Sequence, residues 1–360
     1  MSIYTSMASS VRGKRGSDLR VQPGGADTTY CTIFSESTGF LARVEGRGAH
    51  EPLWAPRGPE LLDISITNWC DRGCARCYRS SDRKGLHMSL RDYEMVLAQA
   101  AESGVLQVAL GGGNPNQHPD FVRILESTSR LRVTPNYTTS GRGLTGAILD
   151  ASSRYCGAVA VSVYEPLGDV SEAVAELHKA GVKVNLHFVL TRESIQVALA
   201  WLRDPPRLLQ YVNAVIFLTF KPLGRGGDSS LMLRRDDVLC DFIDLASTGE
   251  AGFRIGFDSC MASAFVDAAP QSLVWLDGCE AARFSMYISE RLLAYPCSFM
   301  EGALPGVVVK ADNLTRIWRE AAQFRATRAK LANVDCMPCP IAHICRGGCP
   351  SFKAMSLCGA

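Results

Sequence analysis

The stretch "LLDISITNWCDRGCARCYRSS", residues 61–81, decides how this chain folds. Its first seven residues are rich in apolar and β-branched side chains, the mark of a strand that ends where the polar run begins. Cys70, Cys74 and Cys77 then fall in one short loop. Three thiolates so close together can hold three irons of a cubane iron–sulfur cluster and leave the fourth iron without a protein ligand. A cluster built only for electron transfer takes four cysteines. An iron with a vacant position can bind a small molecule, as a catalytic metal does. A loop at the C-terminal end of a strand is also where α/β barrels and open sheets carry their chemistry. The alternatives are a zinc knuckle or a set of buried cysteines. No fourth ligand such as His stands nearby to complete a closed zinc tetrahedron.

At 360 residues, the chain has length for one large domain and a smaller one. Hydrophobic content of 47% against 21% charged residues is that of a globular protein with a substantial core. A net charge of +2 gives no reason to expect a nucleic-acid partner. No apolar run approaches the roughly 18 residues that span a bilayer, and the polar start lacks the apolar core of a secretory signal. No membrane partner is expected. Fourteen cysteines in tight local clusters, without an export signal, point to metal ligation in a reducing cytoplasmic setting rather than to disulfides.

Outward from the triad, the chain reads as three parts. Residues 1–58 begin with a flexible arm through residue 27. The run "TTYCTIFSESTGFLARVE", residues 28–45, then reads as a β-hairpin. This extension either caps the main domain or forms a peptide-docking module. Residues 59–235 alternate strand and helix. After "LLDISIT", further strands are expected at "VLQVALGGG", "VTPNYTTSG", "GAVAVSVY", "VKVNLHFVLT" and "VNAVIFLTF". The first helix runs Ser89–Ser103, with Ser89 as N-cap. Six strand–helix units predict a parallel sheet covered by helices, which right-handed crossovers curl into an open barrel. Residues 236–360 hold the second cysteine field. "CMPCPIAHICRGGC" supplies Cys336, Cys339, Cys345 and Cys349, with Cys358 beyond it and Cys279 and Cys297 upstream. Paired thiolates at short spacing suit iron–sulfur ligation, and a zinc ribbon is the alternative. Cys31, Cys156 and Cys240 stand alone and read as small buried hydrophobes.

The Cys-x3-Cys-x2-Cys spacing after a strand resembles the radical S-adenosylmethionine (SAM) superfamily. The C-terminal field resembles the SPASM extension, found on members that modify peptides and proteins. The resemblance implies an α/β fold: a partial (β/α)6 radical SAM barrel with a small cysteine-rich SPASM domain. It also implies a [4Fe-4S] cluster on Cys70, Cys74 and Cys77 that chelates SAM and cleaves it to a 5′-deoxyadenosyl radical. Two auxiliary [4Fe-4S] clusters follow from it. One takes Cys336, Cys339, Cys345 and Cys358. The other takes Cys279, Cys297 and Cys349, with Cys260 the nearest fourth ligand and an open iron the alternative. An auxiliary cluster can accept the electron that a substrate radical gives up.

For SAM itself, "GGNP" matches the family's "GGEP" element at Gly112, Gly113, Asn114 and Pro115. A neutral Asn114 carbonyl there replaces the usual carboxylate. Ser140, Ser162 and Asn185 lie near strand ends and are expected at the same mouth, with Ser140 on the ribose. "KPLGRG" brings Lys221 and Arg225 toward the SAM carboxylate or a substrate, or else forms a solvated loop. Arg76 stands where the family has an aromatic residue, and its guanidinium can stack on adenine. The expected function is radical modification of a ribosomally made peptide, such as a crosslink, with flavodoxin or ferredoxin as electron donor. A small-molecule SAM dehydrogenase and a non-catalytic iron–sulfur scaffold are the alternatives. Ser298, where sulfatase-maturing members carry an acidic residue, argues against that substrate.

Overall fold

The computed structural model describes residues 18–24, 30–45, 52–268, 276–336 and 339–358. The flexible arm expected through residue 27 therefore lies mostly outside the described residues. Its described part departs from the expectation, because Leu19–Pro23 is a strand, β1. It pairs antiparallel with β2 (Tyr30–Ser35), which turns back into β3 (Leu41–Glu45). The hairpin read from the sequence is thus two-thirds of a three-stranded sheet.

The main sheet has ten strands. Six run parallel and adjacent in chain order: β4 (Leu61–Thr67), β5 (Gln107–Gly112), β6 (Thr134–Thr139), β7 (Val159–Ser162), β8 (Val184–Leu190) and β9 (Ala214–Thr219). The helices that cross back over them are α1 (Leu90–Ser103), α2 (Phe121–Arg130), α3 (Gly146–Tyr155), α4 (Gly168–Lys179) and α5 (Ile195–Arg203). Ser89 caps α1 as expected, its hydroxyl accepting from the Asp92 amide at 3.1 Å. After α6 (Asp237–Ser247), β10 (Ile255–Phe257) extends the sheet in parallel past β9. At the other edge β11 (Ser285–Ile288) runs parallel to β4, followed by antiparallel β12 (Leu293–Tyr295) and β13 (Val307–Val308). The sheet thus continues across residue 235, and among the described residues it does not close on itself. The helices α7 (Leu314–Glu320), α8 (Ala322–Ala332) and α9 (Ala342–Cys345) complete the C-terminal part.

Period-2 alternation sets the two faces of the sheet. On β8, Val184, Leu186, Phe188 and Leu190 are buried in the main core beneath the helices, while Asn185, His187 and Val189 take the opposite face. The inner face is therefore polar, as suits a binding space rather than a packed core.

The N-terminal sheet covers the end of the barrel away from the triad. Thr32 Oγ1 donates to Glu60 at 2.7 Å, and Arg43 pairs with Glu60 at 2.8 Å and Glu280 at 2.9 Å. Gln22 donates to the Gly104 carbonyl and Lys183 to that of Ser37, both at 2.7 Å. Glu60, Gly104 and Lys183 each stand just before a barrel strand. The geometry supports the capping reading of this extension.

Candidate functional site

The triad loop leaves β4 at Thr67 and is tied down by backbone on both sides. The Cys70 amide donates to the Asp82 carbonyl at 2.9 Å. The glycine run after β5 lies along the loop's start. Gly113 donates to the Thr67 carbonyl at 2.7 Å, and Asn114 to that of Trp69 at 3.0 Å. A Cβ on Gly113 would sit 2.1 Å from the Trp69 carbonyl oxygen, and Gly112 holds φ at +105°. Only glycine tolerates that approach and that backbone.

Arg225 grips the loop from the side of β9. Its amide donates to the Cys77 carbonyl at 3.0 Å, and its guanidinium to the carbonyls of Cys74 at 3.1 Å and Ser81 at 2.7 Å. Gly224 lets this segment close, since a Cβ there would stand 2.4 Å from the Cys77 oxygen. Arg225 is therefore a fastener of the cysteine loop, not a solvated side chain.

All three cysteines are half-buried free thiols. Burial pushes the Cys70 thiol up, and the neighbouring Cys74, Asp71 and Cys77 add to the rise. A positive centre bound there would reverse that balance and favour thiolates. One Asp71 carboxylate oxygen is buried with no hydrogen-bond partner among the described residues, an acceptor without a donor beside the triad. The donor set, the glycine edge and this orphan acceptor fit a metal cluster with a chelating ligand.

Two residues that the sequence reading passed over close the mouth. The Tyr164 hydroxyl lies beside Cys74 and Ser162, and the Arg72 guanidinium lies 3.8 Å from the Tyr164 ring centre. Arg72 also reaches Asp169 at 3.4 Å, while Arg76 pairs with Glu193 at 2.9 Å. These contacts tie the cysteine loop to the ends of β7 and β8. Nothing local in the sequence marks Tyr164, because its partner lies ninety residues earlier.

Other expected SAM contacts separate into those at the mouth and those elsewhere. Ser140 follows β6, and its carbonyl faces Arg72 at 3.4 Å. Ser162 ends β7 beside Tyr164. Asn114 is at the mouth, but its side chain is spoken for. Its carbonyl accepts from Thr139 Oγ1 at 3.1 Å and the Ser140 amide at 3.0 Å, and its amide donates to the Arg142 carbonyl at 3.0 Å. With both lone pairs used, it is a strut joining β5 to β6 rather than a free acceptor. Asn185 is misplaced by the sequence reading. It is the second residue of β8, level with Ala160, two residues below Ser162, and bonded to Asn213 at 2.8 Å. The strand runs on to Leu190, so "VNLHF" is its beginning and not its end. Lys221 is engaged by Asp258 at 2.6 Å and lines the cavity of the second cysteine field. His118 is structural, held by the Met88 carbonyl at 2.8 Å and the Asp120 amide at 3.0 Å.

The second cysteine field is gathered by the fold. A cavity of about 190 Å³ lies in the lateral gap between β4 and β11 on one side and the ends of β9 and β10 on the other. Cys260, Cys279, Cys297 and Cys349 all line it, along with Asp63, Lys221 and Asp258. The Cys260 and Cys349 thiols are neighbours, both free, and Cys279 and Cys297 lie near enough to feel Cys260. Burial raises Asp63 to about 7, with Arg79 opposing. Cys336, Cys339, Cys345 and Cys358 form a separate group, in which burial raises Cys345 and the other three thiols add to it. Among the described residues no three His, Cys, Asp or Glu side chains converge tightly enough for a single metal ion. The thiols frame spaces rather than points.

Known proteins resemble this chain in sequence and in fold. Residues 64–185, from β4 into β8, match the family model of the radical SAM superfamily. The chain is 25% identical over 323 residues to mycofactocin maturase MftC of Mycobacterium tuberculosis, covering 82% of this chain and 79% of that protein. It is 31% identical over 160 residues to the PqqA peptide cyclase of Gluconobacter oxydans, covering 39% and 44% of the two chains. The fold matches that of Streptococcus suis SuiB bound to S-adenosylmethionine, with a TM-score of 0.70 at 14% identity over 93% of this chain and 95% of that one. SuiB has also been solved with its precursor peptide SuiA, and that structure matches at a TM-score of 0.67 and 18% identity, over 81% of this chain and 72% of the other. The triad loop, the parallel strands that carry it and the family match fall on the same part of the chain, and residues 64–185 are what this protein has in common with the radical SAM superfamily.

Proposed function

We propose that this protein is a radical SAM enzyme that modifies a ribosomally made peptide. The observation that carries the catalytic part is the three-cysteine loop clamped between the glycine run and Arg225 at the open end of the barrel. Cys70, Cys74 and Cys77 would hold a [4Fe-4S] cluster, with SAM completing it along the Gly112–Gly113 edge. When bound, that pair supplies a 5′-deoxyadenosyl radical able to take hydrogen from an unactivated carbon. The chain's own work is placement. Arg72 and Tyr164 close one side of the mouth, and the Arg76–Glu193 pair closes another. Ser162 and His187, level with each other on β7 and β8, line the polar inner face where a substrate side chain would enter.

The two C-terminal cysteine groups suit two auxiliary [4Fe-4S] clusters, with Cys260 as fourth ligand of the one in the lateral gap. The peptide substrate is supported by the company the chain keeps, a maturase and a peptide cyclase. A small acidic electron carrier such as flavodoxin or ferredoxin would provide the reducing electron. A cytoplasmic setting suits fourteen cysteines without a disulfide among the described residues. None of the described helices is long and apolar enough to cross a membrane.

The test is anaerobic reconstitution with iron and sulfide, followed by dithionite and SAM. The expected product is 5′-deoxyadenosine by mass spectrometry, lost in Cys74→Ala while the C-terminal iron remains. Adding a candidate precursor peptide should give a peptide mass lower by whole hydrogens. No 5′-deoxyadenosine from a fully loaded protein would sink the proposal, and turnover of an aminocyclitol instead of a peptide would move it to the dehydrogenase reading.

A further inference from the structure

Lys221 has a setting that its place in a glycine-rich loop does not suggest. It follows β9, and its side chain is only 4% exposed. Its ammonium bonds Asp258 Oδ2 at 2.6 Å and stands 4.5 Å from the centre of the Phe299 ring. It shares the wall of the lateral cavity with Cys260, Cys279, Cys297 and Cys349. Thr219 also holds Asp258, its amide donating to the same Oδ2 at 3.1 Å and its hydroxyl to Oδ1 at 2.7 Å. With three donors on it, Asp258 shares its charge between Thr219 and Lys221.

A cluster ligated by four thiolates is anionic, and reduction adds a further negative charge. In a buried site, where charges are weakly screened, a fixed cation on the wall of the cluster's cavity stabilises the reduced form. The other charged wall residues, Asp63 and Glu280, carry the opposite sign when ionised, so Lys221 is the one cation among the cavity's described lining residues. We propose that Lys221 raises the electron affinity of the iron–sulfur cluster held by Cys260, Cys279, Cys297 and Cys349, with Asp258 setting how much of its charge is left to act. The inference rests on the reading that these four thiolates hold such a cluster. Lys221 touches no reacting atom, so it is a positioning residue that works through the thiolates.

The experiment is a redox titration of the anaerobically reconstituted holoenzyme, followed by electron paramagnetic resonance. The signal of this cluster is identified by its loss in Cys297→Ala. Lys221→Met removes the charge and keeps the stem. Its expected effect is at least a tenfold fall in the equilibrium constant for one-electron reduction, about 59 mV more negative. Lys221→Arg should stay at the wild-type potential, and Asp258→Asn should shift upward. Iron and sulfide content equal to wild type shows that the clusters are intact. If Lys221→Met fails to hold its cluster, Asp258→Asn decides: an upward shift supports the role and no shift overturns it. Unchanged potential in a fully loaded Lys221→Met, or shifts of one sign for both charges, would overturn it. A Cys297→Ala variant that loses no signal at all fails the cluster assignment instead, and leaves Lys221 without a group to act on.

Discussion

Burial draws the His187 imidazole down to about 4, with Asp258 pulling the other way. The ring sits on the inner face of β8, where Thr138 Oγ1 lies 3.4 Å from Nδ1. In the unfolded chain it protonates near its ordinary 6.5. Between those values the unfolded state binds the extra proton, so stability from this group is complete above pH 6.5 and is lost as pH falls through 4. At about 1.4 kcal/mol per unit, the term is on the order of 3 kcal/mol. His187→Gln should flatten the fall in urea midpoint between pH 7 and 4.5, and an unchanged slope would refute the assignment. Asn114 teaches a related lesson. Its sequence position named it a ligand contact, while its hydrogen bonds make it a strut. Which of an amide's atoms remain free is set by neighbours on β6 that the local sequence does not specify.

At the scale of elements, the site is the junction of β4, β5 and the segment after β9. The glycine run was legible because three glycines ending a strand have few uses other than close approach. What they approach was not legible. Gly113 meets the backbone of Trp69, so its role is to set the height of the cysteine loop. Gly113→Ala must push that loop away by about 1 Å. A displacement of that size at a reacting centre can cost about a hundredfold in rate. The expected result is a ten- to hundredfold fall in 5′-deoxyadenosine formation at unchanged iron content, read by mass spectrometry and iron assay. A rate within twofold of wild type would show that the loop tolerates the shift. The Arg76–Glu193 pair is another case. Both side chains are largely exposed, so its breakage should alter stability by less than about 1 kcal/mol. Its effect belongs to closure of the mouth.

Over the whole molecule, the N-terminal sheet is joined to the barrel bottom through Arg43, Glu60, Glu280 and Thr32. The Arg43 side chain is 10% exposed and that of Glu60 5%. Burial raises the Glu60 carboxyl, and Arg43 is the main force holding it ionised. Removing one partner of such a buried pair typically costs about 3–5 kcal/mol, because the other charge stays behind. Arg43→Met should therefore lower the thermal midpoint clearly, and adding Glu60→Gln should restore most of the loss. If the double variant is no more stable than the single one, the pair is not what anchors the cap. Similar long-range joints tie the C-terminal helices in. Gln99 of α1 accepts the first amides of α7, from Asn313 at 2.8 Å and Leu314 at 3.0 Å, and Trp318 donates to the Ala55 carbonyl at 2.7 Å.

Strand order, helix spacing and the three-cysteine loop were determined by the sequence alone, because periodicity and short cysteine spacing are local properties that survive without coordinates. The hairpin, the Ser89 cap and the α/β class were readable for the same reason. Tertiary structure alone decided which distant residues share a space. It brought Cys260 to the cavity of Cys279, Cys297 and Cys349, placed Lys221 on the wall of that cavity, and set Asn185 below the site it was expected to join. Those outcomes depend on register and on where an open sheet leaves its gap, and both are fixed by packing between segments far apart in the chain.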